Sequence, residues 1–388
     1  MSRIAIITTM SGFPWGGSEY LWAATAEEAI AQGHEVFISL FDWSIKHPLV
    51  QKLYDKGAKL FPRPRFPSPP SLVSRARRKF GQKIPFVKPS FYRSFYSPIF
   101  DCQPDFICIS QGSSYDILHI PDLIDYIGSN SIPYILLCHF NSDTSILSQD
   151  LITKAKSIFQ NATKIAFVSD QNLKLAQRQL AQSLPNAIVV QNPVNMQDIS
   201  IIPCPKNKAS IQFASVARLE VAFKGQDILF ETLSSSLWCD RDWQCNLYGS
   251  GCDRSYLQEL AKYYNISHKI RFMDHAPDVR SIWAENHILL MPSRGEGTPL
   301  SLVEAMLCGR PSVVTDVGGN VDWITESKTG FIADAPTVKL FSEALDRAWQ
   351  NQNSWEQMGV MAHEYASAKF DISPAKTLLK IIIDSIPN

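Results

Sequence analysis

The sequence predicts an α/β protein built from two doubly wound parallel-sheet domains. Short apolar runs recur along the 388 residues and alternate with helix-length stretches, the pattern of strands buried on both faces between crossover helices. The rhythm breaks at Gln191-Asn-Pro-Val-Asn195 and begins afresh at Ile211. Each half, at about 190 residues, is of ordinary size for a domain with its own core.

Composition narrows the class. A hydrophobic share of 45% and a charged share of 19% are globular, which argues against disorder and fibrous repeats. No uninterrupted apolar run approaches the ~20 residues that cross a bilayer. The N-terminal run Ile4 to Thr9 is too short for a signal core and leads into Gly12, Pro14, Gly16 and Gly17, so a cytoplasmic protein is expected. Eight scattered cysteines without a CxxC pair argue against zinc knuckles and a disulfide framework, and read as buried thiols.

The zero formal charge hides an asymmetry. Between Phe61 and Phe100 lie nine of the 37 basic residues and no acidic one, interleaved with aromatics and eight prolines. The prolines predict a loop with at most a short helix near Leu72 to Phe80. Such a segment suits an anionic membrane surface, giving a peripheral protein on the inner face of the cytoplasmic membrane, or a phosphate-bearing acceptor. A solvated excursion whose aromatics dock on the domain is the alternative. Nucleic acid is disfavoured, because the rest of the chain is acidic.

In order, Ile4 to Thr9 is a strand and Met10 to Gly17 a glycine-rich loop. Ser18 is the expected N-cap of a helix from Glu19 to Gln32 that ends at Gly33, and His34 to Ser39 is the next strand. Gly16-Gly17 at a strand-to-helix turn lets backbone amides approach a phosphate or sugar, although GxGxxG is absent and a lone Gly-Gly by itself favours a plain tight turn. Asp105 to Ser110, Tyr134 to Cys138 and Thr163 to Val168 continue the sheet, with His139 just past a strand end. Ser169-Asp170 caps a helix to Leu180, and Ala187 to Val190 closes the sheet.

The second half opens with strand Ile211 to Val216, followed by a loop carrying Arg218 and Lys224 into a helix from Gln226 to Ser235. Two cations beside a helix start suit a diphosphate, and two solvated surface charges are the alternative. Asp240-Arg-Asp242 precedes strand Trp243 to Tyr248 and reads as a polar turn; Gly249-Ser-Gly251 opens a helix to Tyr264, and Lys269 to His275 is a strand and loop. His287 to Met291 is a strand, Pro292 to Gly297 a turn, and Pro299 starts a helix capped by Gly309. Ser312 to Asp316 is a strand, Gly318-Gly319 turns into a short helix, and Gly330 to Asp334 is an edge strand. Helices over Thr337 to Asn351, Ser354 to Lys369 and Ser373 to Ile386 complete the chain.

Glu296 in the loop and Glu304 on the helix both face the crevice where open α/β sheets bind ligands. Carboxylates suit the vicinal hydroxyls of a sugar, and free amides of Thr298, Leu300 and Ser301 at the helix start suit an anion. A nucleotide sugar is both hydroxylated and phosphorylated.

Glu296-Gly-Thr-Pro-Leu-Ser-Leu-Val-Glu304 resembles the E-x7-E signature of retaining glycosyltransferases of family 4, with the GT-B fold. Pro14-Trp-Gly-Gly-Ser-Glu19, Cys138-His-Phe-Asn141 and Gln191-Asn-Pro-Val-Asn195 are similar to further family segments in the family's order, with Pro193 where glycine is usual. The resemblance spans roughly residues 4 to 370 and implies two Rossmann-like domains facing across a cleft. These are an acceptor domain at 1–195 and a donor domain at 196–370, with a final helix at 371–388 crossing back to the first. It implies Arg218 and Lys224 on the departing diphosphate and Glu296 on the donor sugar. Glu304 would hold the ribose, His139 the sugar's other side, and Gly16 and Gly17 the phosphates. Gly297, Thr298, Pro299, Leu300 and Ser301 would complete the donor site. It implies metal-independent transfer to a glycan, lipid-linked or small-molecule acceptor, without a cofactor. A nucleotide-sugar epimerase and a non-catalytic nucleotide-sugar-binding homologue fit the same residues.

Overall fold

The computed structural model describes residues 1–12, 14–43, 47–64, 95–205, 210–276 and 278–387. Most of the basic stretch read as a loop therefore lies outside the described residues. The first sheet contains β1 (Arg3–Thr8), β2 (Glu35–Phe41), β3 (Lys59–Arg63), β4 (Phe106–Gln111), β5 (Tyr134–Cys138), β6 (Lys164–Phe167) and β7 (Ala187–Val189), in the order β3-β2-β1-β4-β5-β6-β7. The second contains β8 (Ile211–Val216), β9 (Trp243–Tyr248), β10 (Ile270–Asp274), β11 (Ile288–Met291), β12 (Ser312–Thr315) and β13 (Gly330–Ala333), in the order β10-β9-β8-β11-β12-β13. Among the described residues every strand pairing is parallel. Central strands are rich in apolar residues because both faces are covered: Ile4 to Ile7 and Phe106 to Ile109 are all buried.

The crossover helices include α1 (Gly17–Ala31), α2 (Pro48–Asp55), α3 (Pro121–Asn130), α4 (Gln149–Asn161), α5 (Asp170–Leu180), α6 (Gln226–Ser234) and α7 (Arg254–Tyr263). After these come α8 (Val279–Glu285), α9 (Leu300–Leu307), α10 (Val338–Gln350), α11 (Trp355–Lys369) and α12 (Pro374–Asp384). The apolar face of α12, with Leu378, Leu379 and Ile382, is buried against the first domain in one cluster with Leu21, Trp22 and Ala26 of α1. Burying each such leucine contributes ~2 kcal/mol, so the end of the chain is tied back to its beginning.

Several local expectations need correction. Ser18 does not cap α1; the helix starts at Gly17 with Gly16 as an extended N-cap and no side-chain cap bond. Phe61 to Arg63 is edge strand rather than loop, since an edge position tolerates Pro62. Arg63 is no surface cation: it is buried, donates to the Thr8 carbonyl and the Tyr96 hydroxyl, and lies over the Phe41 ring. Gly318-Gly319 leads only into turns, and the helix after Gly251 begins at Arg254. Of the cysteines, Cys239 and Cys252 are exposed, while Cys108, Cys138, Cys245 and Cys308 are buried.

In each sheet the chain reverses its winding between two adjacent strands, β1 and β4 in the first and β8 and β11 in the second. The loops leaving the carboxyl ends of these strands open a crevice, where ligands of such sheets sit. Here the two crevices face each other.

Candidate active site

One interdomain cavity of about 390 Å³ gathers those loops. From the first domain come Gly16 and Gly17 after β1, Asp116 after β4 and His139 after β5; from the second come Arg218 and Lys224 after β8, and Glu296, Gly297, Thr298 and Leu300 after β11. Nine of the twelve residues singled out in the sequence line it, and Pro299, Ser301 and Glu304 do not.

The second-domain wall is assembled by close backbone contact. The loop after β8 makes a single helical turn, Val221–Lys224, and leaves it at Gly225 with φ +63. A Cβ on Gly225 would sit 2.1 Å from the Pro292 carbonyl oxygen, so only glycine lets this loop lie against the one that follows β11. Lys224 Nζ then meets Glu296 Oε1 at 2.8 Å, and Ser293 Oγ donates to the same oxygen at 2.7 Å. Both charged side chains are mostly withdrawn from water, 17% and 8% exposed, which strengthens the pair relative to a surface one. Arg218 is half exposed beside them and pairs with Glu220 at 3.1 Å.

The first-domain wall presses on this assembly. Gly297 lies so close to the His139 carbonyl that a Cβ would stand 2.0 Å from its oxygen. Thr298 Oγ1 donates to the Val168 carbonyl at 2.9 Å, and the Phe140 and Phe223 rings meet edge to face at 5.5 Å. His139 is buried, with Ser110 Oγ 3.1 Å from Nε2. Burial pushes its pKa down to about 4, against the opposing pull of the Asn192 side chain. The imidazole is therefore neutral near pH 7 and serves as a hydrogen-bonding group rather than a cation.

Two expectations about α9 change. Glu304 was expected on the crevice but is 7% exposed and packed out of the cavity lining, where desolvation pushes its pKa up to about 8 against the Asn195 backbone amide. The Leu300 amide is not free, since it donates to the Thr298 carbonyl at 3.0 Å. Ser301 turns its hydroxyl to Met291 Sδ, 3.6 Å away.

Asp116 escaped the sequence reading. Thr9 Oγ1 and the Ser113 amide hold its Oδ2 at 2.8 and 3.1 Å, and burial raises its pKa. The group stands across the cavity from the cations. Its only sequence signal is a lone acid shortly after a strand end, which is too common to single out. Among the described residues no group of three or more His, Cys, Asp or Glu is placed to hold a metal ion, and no helix is long and apolar enough to cross a membrane.

Comparison with known proteins fits this geometry. Residues 198–365 match the family described as glycosyl transferases group 1. An uncharacterized glycosyltransferase of Methanocaldococcus jannaschii is 29% identical over 246 residues, which cover 62% of this chain and 65% of that one. A D-inositol 3-phosphate glycosyltransferase of Corynebacterium diphtheriae is 28% identical over 162 residues, or 40% and 38% of the two chains. The match thus spans less than two thirds of either relative. Among solved structures, Anabaena HepE in complex with UDP superposes with a TM-score of 0.74 at 16% identity, covering 99% of this chain and all of that one. The glycosyltransferase WaaG superposes with a TM-score of 0.67, also at 16% identity, over 98% and 99%. The chain has the GT-B fold, and residues 198–365 carry the sequence pattern of glycosyl transferases group 1.

Proposed function

We propose that the protein is a retaining glycosyltransferase of the family 4 type, moving a sugar from a nucleotide-diphosphate donor to an acceptor hydroxyl. The observation that carries this reading is the convergence of Arg218, Lys224 and Glu296 with Gly16, Gly17 and His139 on one cavity at both winding reversals. HepE, solved with UDP, gives the chemistry of the donor a precedent in the same fold.

In this reading the bond between the sugar's anomeric carbon and the diphosphate oxygen breaks while the acceptor oxygen bonds to the same face of that carbon. Lys224 and Arg218 stabilise the charge growing on the departing diphosphate, which takes the acceptor's proton. The two cations supply this without calling on a divalent metal. Glu296 accepts from donor sugar hydroxyls once the diphosphate competes for Lys224, and neutral His139 lines the sugar opposite. Asp116 accepts a hydrogen bond from the acceptor hydroxyl and aligns it. Gly16 and Gly17 cradle the phosphates: nothing in the protein comes within 3.6 Å of a Cβ added at either, so its own packing does not call for glycine there. Glu304 meets the ribose diol when the Asn195 segment moves aside.

Thermal unfolding against a panel of nucleotide sugars tests the donor. One member at a hundred times its Kd should stabilise the fold by ~2.7 kcal/mol; no stabilisation by any member would refute the reading. An epimer formed without an acceptor would point to an epimerase, and binding with neither hydrolysis nor transfer to a non-catalytic homologue. The proposed peripheral contact at the cytoplasmic membrane rests on residues 61–100, and vesicles of anionic lipid should pull down the chain but not a version with the basic residues of that stretch other than the buried Arg63 neutralised.

A further inference from the structure

A second recess, of about 310 Å³, lies in the first domain at the carboxyl ends of β2 and β3. Phe41, Trp43 and Tyr54 wall it, and Asp42, His47 and Gln51 bring polar groups to it. Its lining is built rather than incidental. His47 is stacked on Trp15, centroids 3.9 Å apart and 6° from parallel, and its Nδ1 accepts from the Leu49 amide at 3.3 Å. Burial lowers the ring's pKa, so near pH 7 the single ring proton sits on Nε2, which is a fixed donor. Arg63 over the Phe41 ring pins it from beneath the sheet edge. Gln51 gives its amide N–H to Asp55 at 2.8 Å, which orients its carbonyl oxygen as an acceptor.

The combination is selective. A pyranose ring offers one face of C–H bonds, which suits an aromatic surface, and a girdle of hydroxyls, which suits a carboxylate, an amide oxygen and an imidazole N–H. An alkyl chain would offer nothing to the Asp42 carboxylate or the His47 Nε2–H, and among the described residues no lysine or arginine lines the recess to hold a phosphate.

The recess and the catalytic cavity draw lining residues from the same loop. Met10, Ser11, Gly12, Gly16 and Gly17 line the cavity, Pro14 lines the recess, and Trp15 between them grips His47. Asp116 lines the cavity and the aromatic wall lines the recess, so an extended acceptor is the kind of ligand that would use both. We propose that the recess is a subsite for a pyranose ring of an oligosaccharide acceptor, removed from the ring that reacts. This rests on the glycosyltransferase reading above.

Saturation-transfer NMR with neutral disaccharides (maltose, cellobiose, lactose) and octyl glucoside tests it on the intact chain. At least one disaccharide should bind through its ring protons, and Asp42→Asn or Tyr54→Ala should weaken that binding about fivefold, the size expected for one lost aromatic or hydrogen-bonded contact. Both substitutions are on exposed side chains, so the fold is retained, and UDP binding in the catalytic cavity should not change. If no sugar binds while UDP does, the subsite is wrong and the donor reading stands. If UDP and every nucleotide sugar fail as well, the glycosyltransferase reading itself has failed. Saturation transfer to the octyl chain but not to the sugar ring would overturn the proposal in favour of a lipid-linked acceptor.

Discussion

Gly17 and Glu304 show how single residues separate packing from chemistry. Gly17 is the first residue of α1, where alanine is the better helix former, and an added Cβ would meet only the flexible end of Leu300, at 3.6 Å. Gly17→Ala should therefore leave unfolding free energy within ~0.5 kcal/mol of the parent while weakening nucleotide-sugar binding, as read by calorimetric titration. Full affinity in the variant would remove the cradle role. Glu304 also bears on stability. Its folded pKa of about 8 lies above the unfolded value, so its contribution is complete below pH 4.5 and is lost as the pH rises through 8. Denaturant melts of the parent and Glu304→Gln across that window should show the parent losing a few kcal/mol relative to the variant. Parallel curves would mean that Glu304 is already ionised in the folded protein. Both residues were legible as motif members, but the sequence could not tell that Glu304 faces Asn195 rather than the cavity. An eight-residue spacing fixes chain distance, whereas facing depends on how the hinge segment packs.

Among the elements, Tyr134–Cys138 ends where its apolar run ends, and Ile211–Val216 and Trp243–Tyr248 keep the expected limits although Gln212, Ser215, Gln244 and Asn246 interrupt their apolar residues. Those strands are buried on both faces, so their apolar residues mark most of their limits. α2 and β3 gave weaker signals. β3 is an edge strand carrying a proline, and α2 is a short helix whose buried residues are Val50 and Leu53. The start of α1 was misplaced because Ser18 looks like a cap, whereas the extended Gly16 already begins the turn. α12 was legible as an amphipathic segment, and its partner came only from the family resemblance. Leu378→Ala on α12 should cost ~3 kcal/mol, because the side chain is fully buried against α1. Chemical denaturation would read this as an earlier midpoint; an unchanged midpoint would show that α12 contributes nothing to the first domain.

At the scale of the molecule, the sequence supplied the cast of the site and the structure supplied its assembly. Cations after β8 and a carboxylate after β11 could be placed near one crevice by topology alone. Their partners across the gap, Asp116, Phe140 and the His139 carbonyl, belong to the other domain and could not be read from spacing. The domains are held together by backbone approach at Gly297, by the Thr298 bond to Val168 and by the Phe140–Phe223 contact. A donor entering the cavity must compete with Glu296 for Lys224, which links binding to rearrangement of the buried pair.

Release of nucleoside diphosphate from the donor found in the panel, compared between the parent and Lys224→Ala, addresses the role of that cation most directly. Removing one partner of a buried pair also leaves the other unsatisfied, so Lys224→Ala combined with Glu296→Gln and a melting curve for each protein control for folding. A folded Lys224→Ala should release diphosphate ~100-fold more slowly at saturating donor, the loss of about 3 kcal/mol of transition-state stabilisation. Undiminished release from a folded variant would contradict the assignment of this cavity as the place where the sugar leaves its nucleotide.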